Sequence, residues 1–143
     1  MTDAGLVLHK LQRLKQQVDL VRVRRPSAAS VLATDLVLRD AIALALMVAL
    51  QEAIDVAYHI VADEGWGVPD SYAGAFDSLA AHGVIDRELA LRVSSSARLR
   101  NRIAHGYASV DHEKLWQELP GGLDALEAFI AATAAWLPAA PTP

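Results

Sequence analysis

Residues 100–107, Arg-Asn-Arg-Ile-Ala-His-Gly-Tyr, place a guanidinium and an imidazole five positions apart, and we call them the motif segment. Metal-free RNA cleavage needs a base for the ribose 2′-hydroxyl, an acid for the departing 5′-oxygen and a cation beside the phosphorus. Histidine suits either proton role because it titrates near neutral pH, and arginine keeps its charge and matches phosphate oxygens with a planar fork. The segment therefore predicts that His105 acts as acid or base and that Arg100 binds the phosphate. Asn101 is expected to bind ribose or phosphate, or to orient the imidazole.

The spacing of this pair raises a geometric problem. Positions five apart lie roughly 140° apart around an intact helix. Either the helix loosens before Gly106, or Arg100 and His105 line different walls of one cleft. One histidine also cannot readily act as acid and base in the same step. A two-fold homodimer would solve both problems by bringing two motif segments to a single groove.

The chain is acidic overall, with a formal net charge of −4, but its positive charge is concentrated in two blocks. Residues 1–26 hold six Lys/Arg against two acids, and residues 86–107 hold five Arg against two acids. In the second block we expect Arg98 and Arg102 to be solvated side chains that raise the local potential for RNA and make binding salt-dependent. The first block could bind RNA or an acidic partner, and its pattern does not choose between them.

Length and composition predict one globular domain over residues 1–143, with a frayed tail from about residue 138. The absence of cysteine excludes disulfides, thiolate zinc sites and cysteine nucleophiles, and it fits a reducing cytoplasm. The longest apolar run, residues 41–50, is well short of the roughly 20 residues that cross a bilayer. The first residues lack the apolar centre of a signal peptide. We therefore expect a soluble cytoplasmic protein with no membrane association and no cofactor.

Hydrophobic periodicity predicts an all-α, antiparallel bundle of five helices joined by short connections. Caps and breaker residues set the expected bounds, at about residues 6–25, 30 or 35–63, 70 or 71–81, 86–106 and 111–137. A connector is expected at residues 26–30, and Pro120 with two following glycines should interrupt the last helix. Asp55 and His59 share one helical face, which predicts a structural hydrogen bond or a supporting role near the groove. A metal pair is not predicted, because no further ligand falls at a supporting spacing.

The motif segment also matches the Arg-x4-His-x-Tyr motif of the HEPN ribonucleases, and the chain resembles the HepT-like toxins of HepT–MntA toxin–antitoxin pairs. The likeness covers roughly residues 6–136. It includes the basic first helix that ends in Arg24-Arg25-Pro26 and a middle section, residues 50–86, that carries Asp55 and His59. Two features depart from the family pattern, namely the uniformly apolar residues 41–50 and the break at Pro120.

This resemblance implies a five-helix HEPN bundle, a homodimer with a composite groove and metal-independent RNA cleavage. Arg100 and His105 match the family's catalytic pair, and Asn101 matches its polar position. The resemblance also implies an MntA-like nucleotidyltransferase antitoxin as partner, which inactivates the toxin by transferring AMP to the hydroxyl of Tyr107. An adenylyl group there would add bulk and negative charge where an RNA backbone must lie.

Two alternatives remain open. The chain could be a non-catalytic interaction module that serves as substrate and binding partner of the nucleotidyltransferase, although such a module has no need of both Arg100 and His105. It could also be a general RNA-binding helical domain, which would bind RNA without cutting it and lose affinity gradually with salt.

Overall fold

The computed structural model describes residues 1–105 and 111–138, and over these ranges the only regular structure is helical. The helices are α1 (Ala4–Arg24), α2 (Ser30–Thr34), α3 (Leu36–Asp63), α4 (Tyr72–Ala81), α5 (Arg87–His105) and α6 (His112–Trp136). The predicted all-α class is confirmed. The described residues hold one helix more than the five predicted, because the chain after the expected connector forms the short α2, whose Leu32 is fully buried. The predicted frayed tail lies outside the described residues from residue 139 onward.

Polar residues at the predicted positions begin four of these helices. Asp35, Ser71, Asp86 and Asp111 each accept a hydrogen bond, 2.7–3.1 Å long, from a backbone N–H two or three residues ahead. Such caps satisfy amide groups that have no partner inside the helix. The cap at Asp86 therefore fixes where α5, the helix of the motif segment, begins.

Four helices pack in a ring, in which α1 contacts α3 and α6, and α5 contacts the same two helices. α4 packs on α3 and α5, and α2 packs on α3 and α6. The α1–α3 pair is antiparallel, since the Met1 amino group donates to the Asp63 carbonyl at 2.9 Å while Lys10 lies beside Asp55. The ring fixes α5 between α3 on one side and α6 on the other.

α3 is the central helix of this ring. Its most apolar 18-residue window has a mean hydropathy of 1.6, which is enough by length and composition to cross a membrane. Within the protein, however, 61% of that window is buried against other parts of the chain. Burial of this extent is what the core helix of a globular protein requires. The long apolar stretch therefore serves to seat α1 and α5 on one rigid element.

The last helix runs without interruption through Pro120, so the predicted break is wrong. Proline has no N–H, and it leaves the carbonyl of Trp116, one turn earlier, without its helical donor. The guanidinium of Arg25 supplies that donor, with Nη2 2.9 Å and Nε 3.3 Å from Trp116 O. The same guanidinium lies 4.1 Å from the centre of the Trp116 ring, and Trp116 Nε1 donates to the Pro26 carbonyl at 2.8 Å. The residues at the end of α1 thus compensate for the proline in α6.

Candidate functional site

α5 stays helical through His105, which is its last residue. Loosening before Gly106, one of the two expected solutions, is therefore not seen in the described part of α5. Arg100 and His105 accordingly project roughly 140° apart around the helix axis. Arg100 is half-buried against α3, whereas His105 is exposed. A single copy of α5 presents the two side chains on different faces.

Arg100 is held in place by Gln51 of α3. Gln51 Oε1 accepts a hydrogen bond from Arg100 Nε at 3.1 Å, and Gln51 Nε2 donates to Asp55 Oδ1 at 2.8 Å. Lys10 Nζ of α1 lies 3.9 Å from the other oxygen of Asp55. We call Lys10, Asp55, Gln51 and Arg100 the polar chain. It fixes the guanidinium through Nε and leaves most N–H groups of the terminal nitrogens free for a phosphate.

The polar chain is supported by a buried carboxylate. The side chain of Glu52 is only 8% exposed, and Arg13 Nη2 and Lys10 Nζ lie 3.3 and 3.8 Å from its oxygens. A carboxylate this deeply buried is stabilised by paired cations and is costly when left alone. These pairs fix α1 against α3 one residue away from Gln51.

Gln51 was not among the residues that the sequence predicted. The signal that could have identified it is its position at the end of an apolar run and four residues before Asp55, so that both lie on one helical face. Its partner Arg100 follows 49 residues later, on a helix whose docking on α3 cannot be read from local sequence.

The other polar residues of the motif segment are exposed where the structure describes them, whereas Ile103 is half-buried against the core. Asn101 and Arg102 are exposed, and Asn101 Oδ1 lies 3.4 Å from Arg100 Nη1, a long contact. Arg98, two residues before Arg100, is exposed as well. Tyr107, the predicted modification site, lies outside the described residues. The accessible polar side chains of residues 98–105 are therefore one imidazole, one amide and several guanidinium groups.

Asp55 and His59 bind other residues and not each other, so the predicted hydrogen bond between them is wrong. Asp55 belongs to the polar chain. His59 Nε2 lies 3.0 Å from Asp63 Oδ2, one turn further on, and the same oxygen accepts a hydrogen bond from the backbone N–H of Asp3 at 3.0 Å. Asp55 thus lies near the candidate site, while His59 lies near the end of α3, beside the Asp63 carboxylate that binds the start of α1.

The two basic blocks of the sequence differ in how they are neutralised. Most cations of the first block bind acceptors within the chain, namely Lys10, Arg13, Lys15, Arg22 and Arg25. By contrast, the guanidinium groups of four arginines of α5 have no hydrogen-bonding or ion-pairing partner among residues 1–105 and 111–138, namely Arg87, Arg92, Arg98 and Arg102. Positive charge available to an anion is therefore concentrated along α5.

An open cleft of about 750 Å³ separates α5 from α6, and we call it the α5–α6 cleft. Leu46 and Leu50 of α3 form its base, and Gly121 and Gly122 form part of the α6 wall. The α5 wall is formed by residues that recur at three- and four-residue steps, namely Arg92, Ser95, Ser96, Arg98, Leu99 and Arg102. Because Arg100 faces α3, the cleft and Arg100 lie on different flanks of the same helix.

Carboxylates and imidazoles are dispersed over the described ranges. Within residues 1–105 and 111–138, no group of three or more His, Cys, Asp or Glu side chains is arranged to hold a metal ion. The groups that the site offers for chemistry are those of α5 and of the polar chain.

Comparison with known proteins identifies the family. A family model described as ribonuclease HepT-like matches residues 8–133, and the chain belongs to that family. The mRNA nuclease HepT of Shewanella oneidensis is 28% identical over 96 residues, which is 67% of this chain and 72% of that protein. The resemblance first seen in the motif segment is therefore confirmed.

Solved structures show the same fold. A tri-AMPylated Shewanella oneidensis HEPN toxin, solved in complex with an MNT antitoxin, superposes with a TM-score of 0.82 at 24% identity, covering 94% of this chain and 99% of that one. YutE of Bacillus subtilis, a cytosolic protein of unknown function, gives a TM-score of 0.79 at 14% identity, over 94% and 90% of the two chains. This chain accordingly shares the fold of these two proteins.

Proposed function

We propose that this chain is a metal-independent endoribonuclease, the toxin of a HepT–MntA type toxin–antitoxin pair, and that it acts in the cytoplasm as a homodimer without membrane association. The observation that carries the proposal is the hydrogen bond that fixes the guanidinium of Arg100 on α5, the helix that ends in the exposed imidazole of His105. Membership of a ribonuclease family supports the same chemistry.

The proposed reaction is an internal transesterification of RNA. The imidazole of His105 takes the proton from a ribose 2′-hydroxyl, and the 2′-oxygen forms a bond to the adjacent phosphorus as the bond to the 5′-oxygen breaks. An acid protonates the departing 5′-oxygen, and Arg100 stabilises the charge that builds up on the phosphoryl oxygens. The products are a 2′,3′-cyclic phosphate and a free 5′-hydroxyl. Asn101 orients the ribose or the phosphate in the groove.

Two protomers supply what one chain lacks. Because α5 is intact to its end, Arg100 and His105 of one copy point to different faces, and a second copy brings the missing partner. One His105 then acts as base and the other as acid in the same step. Arg98 and Arg102 add positive potential along the groove walls.

The proposed off-switch follows from the relatives. The Shewanella oneidensis HEPN toxin was solved AMPylated and bound to its MNT antitoxin. For this chain we assign an MntA-like nucleotidyltransferase as the partner and Tyr107 as the acceptor. The tyrosine oxygen attacks the α-phosphorus of ATP, pyrophosphate leaves, and the added phosphate repels the RNA backbone.

The test is cleavage of RNA by the purified protein in EDTA, with identification of the product ends. We expect cleavage that leaves 2′,3′-cyclic phosphates, and a loss of about 10²- to 10⁴-fold in His105→Ala. A His105→Ala variant that cuts as fast as the unaltered protein would exclude this mechanism. Salt-sensitive RNA binding without cleavage would identify an RNA-binding domain. Adenylylation of a chain that neither binds nor cuts RNA would identify an interaction module.

A further inference from the structure

We propose that the α5–α6 cleft is a second RNA subsite, which binds single-stranded nucleotides flanking the bond that is cut. This proposal rests on the proposed ribonuclease function and assigns a further binding site to the helix that carries the motif segment. The cleft lies on the flank of α5 that faces α6, away from the polar chain.

The size and base of the cleft suit nucleotides. Its volume of about 750 Å³ lies within the range of about 300–1,000 Å³ that is usual for ligand sites. Its base and part of its walls are apolar, with Leu46 and Leu50 below and the half-buried Leu99 on the α5 side. Proteins bind unpaired bases by placing their flat faces against apolar, aromatic or guanidinium surfaces. The polar groups of Ser95 and Gln117 on the walls can meet the edges of such a base.

The charge of the cleft points to a polyanion. Arg92, Arg98 and Arg102 line it, and their guanidinium groups have no partner in the described part of the chain. The carboxylate among the lining residues is that of Glu118, which lies 4.0 Å from Lys114 Nζ. A guanidinium can hold a phosphate with its edge and stack on a base with its face. The cleft thus combines an apolar base, unpaired guanidinium groups and open access. These are the features that binding of single-stranded RNA requires.

The cleft and the proposed site of cleavage lie on different flanks of α5 but a short distance apart along it. Arg102 is two residues from Arg100, and Arg92 lies eight residues before it, about 12 Å along the axis of α5. A strand whose phosphate is bound at Arg100 can therefore cross α5 at Arg102 and follow the cleft toward Arg92. A second copy of this chain is the competing occupant, but a two-fold contact through this face would place arginines against arginines.

The first test fills the cleft. A Cβ at Gly121 would meet no atom within 4 Å, so Gly121→Leu places a side chain in open space and also raises helix propensity. The matched control is Ala131→Leu, which adds the same side chain to an exposed position of α6 outside the cleft. Binding of a short fluorescent oligouridylate is measured by anisotropy, with His105→Ala in every variant so that the RNA stays intact. We expect Gly121→Leu to weaken binding about tenfold or more and Ala131→Leu to leave it unchanged.

The second test removes charge without adding bulk. Arg92→Gln should weaken binding and lower the slope of log affinity against log salt by about one, because one phosphate contact is lost. Arg87→Gln, an exposed arginine of α5 outside the cleft, is the control and should not change either quantity. Unchanged affinity in both Gly121→Leu and Arg92→Gln would overturn the proposal. So would a Gly121→Leu protein whose oligomeric state changes in sedimentation velocity while its RNA affinity does not, since the cleft would then be an interface between copies.

Cleavage by the unaltered protein reports separately on the proposed function. If the unaltered protein cleaves RNA but the cleft variants bind RNA with unchanged affinity, the subsite alone is refuted. Cleft-dependent binding without cleavage supports the subsite and refutes the nuclease mechanism.

Discussion

Gln51 on α3 and Arg100 on α5 meet through a single hydrogen bond, 3.1 Å from Arg100 Nε to Gln51 Oε1, although 49 residues separate them in the chain. Asp55 Oδ1 accepts a hydrogen bond from Nε2 of the same amide at 2.8 Å, so rotating the amide by 180° would break both hydrogen bonds. A free arginine has about 2 kcal/mol of rotamer entropy to lose when it binds a phosphate. Holding Nε in advance removes part of that cost from the step in which the phosphate reacts.

Removing the hydrogen bond should therefore slow cleavage more than it weakens RNA binding. Gln51→Met keeps the approximate volume and removes the acceptor, and we expect kcat to fall about tenfold with a smaller change in KM. Gln51→Glu keeps an acceptor for Arg100 Nε but adds a charge beside Asp55, and it should recover part of the activity. Steady-state cleavage of a fluorogenic RNA measures both constants. The control, Gln16→Met on the exposed face of α1, should match the unaltered protein. Equal kcat in Gln51→Met would show that Arg100 needs no support.

The compensation of Pro120 by Arg25 should appear as coupling between the two residues. Arg25→Met leaves the Trp116 carbonyl without a donor, and we expect it to destabilise the protein by about 1–3 kcal/mol. Pro120→Ala restores an N–H at residue 120, which can bond the same carbonyl as in an ordinary helix. The cost of Arg25→Met should then be smaller by about 1 kcal/mol in the Pro120→Ala background. Urea unfolding of the two single variants and the double variant measures this. Additive effects would mean that Arg25 acts through its ring contact alone.

Stability should decline in acid partly through Glu127. Its hydrogen bond from Arg22 lowers the pKa of this carboxyl below its usual value. The folded protein therefore releases the proton more readily than the unfolded chain, and the contribution is complete above the unfolded pKa and lost as pH falls through the folded one. Both side chains are partly exposed, so the effect should stay below about 1 kcal/mol.

The measurement compares urea unfolding at neutral pH and at about pH 3 for the unaltered protein and Glu127→Gln. The variant should lose less stability between the two values than the unaltered protein does. Asp77→Asn, an exposed position on α4, serves as the control. An identical loss in the unaltered protein and in Glu127→Gln would show that the pair with Arg22 makes no net contribution.

Tyr107 should separate activity from its regulation. Tyr107→Phe removes the hydroxyl that accepts AMP while leaving Arg100 and His105 in place. We expect this variant to cut RNA within about threefold of the unaltered rate, because the hydroxyl takes no part in the proposed proton transfers. Incubation with the partner nucleotidyltransferase and ATP should add the mass of AMP to the unaltered protein and leave Tyr107→Phe unmodified. Adenylylation of Tyr107→Phe at another residue would refute the assignment of the acceptor.

Local sequence was sufficient where local chemistry decides the structure. The caps at Ser71, Asp86 and Asp111 and the periodicity of the long helices depend on neighbours within a turn or two, and those helix starts were predicted. The short α2 was not, because its stability depends on burial of Leu32 among distant helices. Likewise, the path of α6 past Pro120 depends on donors from a residue 91 positions away.

The same contrast applies to the candidate site. The types and spacing of Arg100 and His105 predict the site from sequence, and the family match confirms the family. Gln51 escaped prediction because its role is set by how α5 crosses α3, a tertiary relation. The α5–α6 cleft was not predicted for the same reason, because it depends on the distance between two packed helices.

The ring in which α1 packs on α6 has a consequence for synthesis. Arg22 and Glu127 are separated by 105 residues, so the ring cannot close until the ribosome has translated nearly all of the described chain. At roughly 5–20 residues per second, the 25 residues of α6 take a few seconds to make after α5 is complete. During that interval the nascent chain carries its motif segment without the helix that forms the second wall of the cleft. For a toxin of the proposed kind, this order of events delays nuclease activity until the ribosome has translated α6.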